Sequence, residues 1–219
     1  MSRRFDRFLS DLAAIAVSDR ATNQFSATVG DLHGNAIRRR NLRLYFEELE
    51  AIGPRMMLVG EAVSYRGGRL TGIAFVSETV MLGGVETHSG RILGADRGYR
   101  KASVGAKLST EASATMVWST IAEIEPLPLL WNAFPFHPFH AGEPDSNRVP
   151  SAAELLAGQP FVERLTRLFP IERLVAVGNQ ASLSMTRLGL EHHKVRHPSQ
   201  GGKQLFVDGM ARLSQRTGA

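Results

Sequence analysis

The sequence predicts an α/β fold: a three-layer α/β/α sandwich around a central four-stranded parallel sheet. Two observations predict it. Short, wholly apolar runs, such as Met57-Leu58-Val59 and Val175-Ala176-Val177, have the look of strands buried on both faces. Between them lie stretches of helical periodicity, and strands alternating with helices imply a parallel sheet covered on both sides.

Taken in order, residues 3–17 carry Phe5, Phe8, Leu9, Leu12 and Ala13 at helical spacing and read as an amphipathic helix. Residues 18–40 are polar and read as irregular. Residues 41–52 read as a helix, with Asn41 as its N-cap and Gly53-Pro54 as its stop. Met56–Gly60 reads as the first strand. Residues 61–104, rich in Gly, Ser and Arg, read as a long loop region with room for a short helix or hairpin, and such loops are usually functional. A helix is expected over 105–122 and a second strand over Leu127–Asn132, followed by a proline-rich loop. Ser151 with Glu154 three positions on has capping-box spacing, so 151–168 reads as a helix. Leu174–Gly178 is the third strand, 180–188 a short helix, Lys194–Arg196 the fourth strand and 203–215 the last helix.

Composition narrows the chemistry. The 219 residues suit one domain spanning 1–219, and a 43% hydrophobic share suffices for a packed core. There is no cysteine, which removes thiolate nucleophiles, disulfides and cysteine-ligated clusters. No apolar run is long enough to span a bilayer, and no apolar segment follows the basic start Met1-Ser2-Arg3-Arg4, so a cytoplasmic location without membrane attachment is expected. The net charge of +5 suits a polyanionic partner.

Ligands of open parallel sheets bind beyond the carboxyl ends of the strands. The segments there are Gly60–Phe75, Asn132–Pro138, Gly178–Gln180 and His197–Gly202. Glu61 follows a glycine that permits a sharp turn, Asn132 closes an apolar strand, and His197 precedes a proline turn. Each has an ordinary reading on its own: a loop glutamate, an Asx turn before Pro135, a surface histidine.

In combination, and in this order, these landmarks resemble the uracil-DNA glycosylase superfamily, especially its iron–sulfur class. Gly60-Glu61-Ala62 looks like the start of that class's Gly-Glu-Ala-Pro-Gly motif, and Gly72-Ile73-Ala74-Phe75 resembles its Gly-x-Pro-Phe continuation. Asn132, His137-Pro138 and Asn147-Arg148-Val149-Pro150 are similar to its Asn, Arg-Pro-Pro and Asn-Arg-Thr-Pro landmarks. Val177-Gly178 and His197-Pro198-Ser199 match the last two. The resemblance covers roughly 54–215. The chain departs from it in lacking the cluster cysteines, with Phe136 where one would stand, so no cofactor is expected. Val63-Ser64 replaces Pro-Gly, and Ala62 lies where the cysteine-free class has its catalytic aspartate.

The resemblance implies a monomer acting on uracil in single- or double-stranded DNA, with Glu61 and His197 catalytic. His197 would donate to the uracil O2, and Glu61 would hold a water or stabilise the cationic sugar. Ala62, Tyr65, Phe75 and Asn132 would bind the base: Asn132 reading its N3/O4 edge, Phe75 stacking, Tyr65 excluding a C5 methyl. Ser64, Arg66, Arg69, Gln180, Ser199 and Lys203 would contact DNA. Leu205 is the nearest candidate for a wedge, with a core position as its alternative and preferred reading. The rivals are a non-catalytic lesion binder of the same fold and a metal hydrolase built on His137, His140, His192, His193 and His197, for which no HExxH-type spacing exists.

Overall fold

A computed structural model describes residues 3–215; Met1 and Ser2, part of the basic start noted above, lie outside them. The architecture is the expected α/β sandwich. Its sheet has the order β3-β2-β5-β6 and is parallel throughout: β2 is Met56–Ala62, β3 Leu129–Phe134, β5 Arg173–Val177 and β6 His193–Val195. All six residues of β3 and the first five of β2 are buried, which is why, Asn132 apart, their sequences run apolar rather than alternating. The chain leaves β2 towards β3, then crosses back to β5 on the other side. The switch point therefore lies between β2 and β5, where a crevice is expected.

Helix α1, Arg3–Ala14, buries Phe5, Phe8, Leu9 and Leu12 along one stripe. Phe8 meets Trp131 of β3 and Phe161 of α6 (Ala152–Leu168) edge to face, at 5.7 and 5.4 Å. Helix α6 begins with the capping box foreseen at Ser151 and Glu154. Helices α7, Asn179–Arg187, and α8, Lys203–Gln215, complete the layers.

Three expectations are corrected. The second helix, α2, runs over Leu32–Ile52 and is capped by Asp31, whose carboxylate accepts from the Gly34 N–H at 3.0 Å. Asn41 is therefore no cap. It is fully buried inside α2, where its amide nitrogen donates to the carbonyls of Thr71 and Arg100 and its oxygen accepts from the Arg100 N–H. The early part of α2 escaped the periodicity argument because its buried face is polar: Asn35, Arg38 and Asn41 bond to loops instead of packing as hydrocarbon. Residues 18–40 are also more regular than expected, because the two-residue β1 (Ala21–Thr22) pairs antiparallel with β4 (His137–Pro138). The helix expected from 105 begins only at Ala112, as α5, Ala112–Ile121.

The 61–104 region holds two short α-helices, α3 (Gly68–Thr71) and α4 (Glu78–Gly83), and a 3-10 turn at Ala95–Arg97, and is tied down by carboxylates. Glu48 of α2 accepts from Leu93 N–H, Arg97 and Tyr99; Glu78 accepts from Ser103 and Ser109.

Candidate active site

At the carboxyl edge of the sheet lies a cavity of about 620 Å³. All four strand ends contribute to it: Gly60 to Ala62 from β2, Asn132 from β3, Val177 and Gly178 from β5, and Arg196 with His197 just past β6. Glu61, Asn132 and His197 thus share one cavity although 136 residues separate the first from the last (197 − 61).

Gly60 and Asn132 stand opposite each other in the β2–β3 ladder. A Cβ on residue 60 would come 2.4 Å from the Asn132 Oδ1 and 2.6 Å from Cζ of Phe75. Glycine is required here for close approach, and its absent side chain leaves room for both an amide and a ring at the cavity wall. Asn132 is 4% exposed, and its carboxamide bonds to no other described residue. A buried polar side chain without a protein partner is costly unless a ligand or water satisfies it.

Phe75 has φ of 55°, a left-handed conformation uncommon for an aromatic residue. The indole N–H of Trp118 donates to its carbonyl at 3.0 Å and helps to hold it there.

His197 is half-buried. The backbone N–H of Ser199 donates to its Nδ1 at 3.2 Å, and the Ser199 hydroxyl lies 2.7 Å from the same nitrogen. An amide N–H can only donate, so Nδ1 is the acceptor and the neutral ring carries its proton on Nε2. Burial, and then the neighbouring charge of Arg196, push the imidazole below its ordinary pKa. The ring is therefore neutral at pH 7, with an N–H to give. Gly178, at φ +96°, makes room for it: a Cβ there would press on the His197 Cβ at 3.0 Å.

Glu61 is half-buried, and its Oε1 is buried without a hydrogen-bond partner. Burial pushes its carboxyl up to about 7. A carboxyl so poised in a cleft is a functional-site signal.

Of the other residues singled out from sequence, Ala62, Ser64, Gln180 and Ser199 line the cavity. Tyr65, Arg66, Arg69 and Lys203 do not. The Arg66 guanidinium lies over the Tyr65 ring at 5.3 Å, and neither residue lines the cavity, so the position of Tyr65 lends no support to the methyl-excluding role expected of it. Arg69 is committed internally: it donates to the carbonyls of Tyr65 and Pro144 and to Asp145 at 2.6 Å. Its charge staples the 140s loop instead of facing solvent. Lys203 is exposed at the start of α8. Leu205 is 58% exposed while its neighbour Phe206 is buried, which overturns the core reading and leaves Leu205 free on the surface.

Sequence reasoning missed several lining residues, among them Glu111, Asn147, Arg148, Asn179 and Arg196. The Asn147-Arg148 pair had a signal in the family-like stretch. Asn147 Oδ1 accepts from the Tyr65 N–H at 3.1 Å, and Arg148 forms a two-pronged bond to Glu154 at 2.7 and 2.8 Å. Glu111 and Arg196 had none, since only tertiary folding brings them to the rim.

Two of the histidines raised for a metal site, His137 and His192, are engaged elsewhere. Both ring nitrogens of buried His137 face backbone carbonyls, of Val63 and Pro144, and His192 bonds to Ser182 and Leu190 O. Among the described residues no group of three or more His, Asp or Glu is placed to hold a metal ion, and no helix is long and apolar enough to cross a membrane.

No protein-family model matches the sequence, and no curated protein matches it either. The fold is similar to the crystal structure of wild-type SMUG2 from Pedobacter heparinus, with a TM-score of 0.60, 13% identity and 98% of each chain covered. At that identity the likeness is one of fold, over a chain whose four-stranded parallel sheet is flanked by helices. The chain therefore shares its overall fold with that structure.

Proposed function

We propose that this protein is a uracil-DNA glycosylase, which extrudes uracil from single- or double-stranded DNA and hydrolyses its N-glycosidic bond. The observation that carries the reading is the convergence of Glu61, Asn132 and His197 on one cavity, each with a polar group unspent within the protein. The basic net charge and the fold likeness support DNA as the substrate.

The chemistry follows from the groups. A stacked base must leave the duplex to be reached, at a cost of a few kcal/mol. As the C1′–N1 bond breaks, its electron pair goes to uracil and negative charge collects on O2, while the sugar becomes oxocarbenium-like. The Nε2–H of His197 stabilises that oxygen, a contribution on the order of 3 kcal/mol for one well-aimed donor. A neutral imidazole is sufficient, since it donates without having to transfer its proton. Glu61, as carboxylate, stabilises the sugar cation and orients the water whose oxygen bonds to C1′; that water's proton passes to the carboxylate or to solvent.

Asn132 accepts from uracil N3–H and donates to O4. Cytosine has the reverse pattern at this edge, and a fixed carboxamide rejects it. Stacking of the uracil face on the Phe75 ring adds about 1–3 kcal/mol without choosing among bases.

The test is release of uracil from a labelled oligonucleotide. Free uracil and an abasic strand are expected. Retarded mobility of lesion DNA with no base released would replace the enzyme by a lesion-binding protein, and activity lost on chelation would revive the metal hydrolase.

A further inference from the structure

Between residues 71 and 78 every residue is buried except Phe75. Its left-handed backbone sets it apart. That conformation turns a side chain away from the direction an extended residue would give it. The ring therefore reaches the wall of the large cavity while Ala74 and Val76 stay in the core. A phenylalanine persists in this state only where its surroundings over-determine it.

Two buried side chains supply the hold. The Trp118 indole N–H donates to the Phe75 carbonyl at 3.0 Å. Trp118 is 2% exposed, lies on α5 and lines no part of the large cavity. The Thr71 hydroxyl accepts from the Ile73 N–H at 3.2 Å and donates to the Val76 carbonyl at 2.9 Å, which ties together the two ends of the turn that carries Phe75. The ring so held has a narrow seat. A Cβ on residue 60 would meet its Cζ at 2.6 Å and its Cε2 at 3.0 Å, and the Asn132 Oδ1 at 2.4 Å, so the ring edge and the carboxamide oxygen flank one point. A ring that leaves this seat gives up its stacking face and uncovers one side of Asn132.

We propose that Trp118 is a positioning residue for base excision: its indole N–H holds the Phe75 backbone left-handed and so keeps the stacking ring in the cavity wall beside Asn132. Trp118 touches no substrate and acts through Phe75. The inference rests on the stacking role given to Phe75.

Two measurements on the full chain test it. Trp118→Phe keeps an aromatic ring in the core and removes the donor. Its crystal structure, beside that of the wild type, is expected to show residue 75 out of the left-handed region and the ring away from Gly60. Single-turnover uracil excision is expected to fall about two- to ten-fold, the range set by one hydrogen bond, with binding to abasic DNA unchanged because that strand has no base to stack. The same change made on Phe75→Ala is expected to have no further effect on excision, since its route is already cut. An unmoved residue 75 overturns the inference, as does an equal loss of excision in both backgrounds or a parallel loss of abasic binding. If Trp118→Phe does not fold, replacing the Trp118 indole by benzothiophene, with sulfur in place of the N–H, keeps the bicyclic shape and carries the same expectations. A displaced ring in the variant with no uracil released by the wild type leaves the hold on Phe75 standing and refutes the enzyme reading instead.

Discussion

Ser199 turns both its backbone N–H and its hydroxyl onto one nitrogen of His197, Nδ1, at 3.2 and 2.7 Å. The other nitrogen is thereby left as a donor towards the cavity. His197→Ala is expected to lower excision about 10²- to 10³-fold, with binding to abasic DNA little changed. Ser199→Ala retains the backbone N–H and loses less. Single-turnover assays beside gel-shift titrations check this, and near wild-type rates for His197→Ala would remove the oxyanion role.

The Glu61 carboxyl, raised by burial to about 7, gives a pH signature. If the carboxylate is the working form, excision rises between about pH 6 and 8 and levels above, and Glu61→Gln gives a low, flat profile. Stability moves the other way. The folded state binds this proton more tightly than the unfolded chain does, so the group's contribution is fully present below pH 4.5, its ordinary value, and declines as pH rises through about 7. Glu61→Gln should therefore melt higher than wild type at pH 8 and close to it at pH 4.5. An equal melting difference at both pH values would refute the assignment.

Gly60→Ala places a methyl where the Asn132 amide and the Phe75 ring now sit. A displacement of that size at a reacting or reading group costs about a hundred-fold in rate. The expected phenotype is a folded protein, checked by circular dichroism, with strongly reduced uracil excision. Undiminished activity would mean that the carboxamide has no fixed place.

Arg69 and Arg196 separate structure from binding. Arg69→Ala should lower the melting temperature, since three hydrogen-bond acceptors in two loops lose their donor. Arg196 has no carboxylate partner among the described residues and stands at the cavity rim. Arg196→Ala should weaken DNA binding without regard to sequence and reduce the slope of log K against log salt by about 1. Fluorescence anisotropy over a salt series distinguishes the two.

Glu154 supports the rim from below. Burial alone would raise its carboxyl, but the Arg148 guanidinium and the Ser151 N–H outweigh burial and hold it at about 2. Glu154→Ala removes half of the capping box and the partner of Arg148, so a loss of at least about 1 kcal/mol is expected, with slackening at Asn147-Arg148 and lower excision. Chemical denaturation measures the first effect and the oligonucleotide assay the second.

The sequence alone was enough for the sheet and for most of the helices, because those elements are apolar runs and stripes whose period is written in consecutive residues. Ser151 with Glu154 was legible for the same reason: a cap is a contact over three residues. The start of α2 was not, since Asn35, Arg38 and Asn41 face inward to loops up to 59 residues distant, and a buried polar face looks like a solvated one in sequence. Glu61, Asn132 and His197 could be nominated from their places at strand ends. Only the tertiary structure gathered them around a common cavity, spent Arg69 on its own loops and left Leu205 in solvent. Those outcomes depend on distances between segments remote in the chain, which side-chain packing decides and local pattern does not encode.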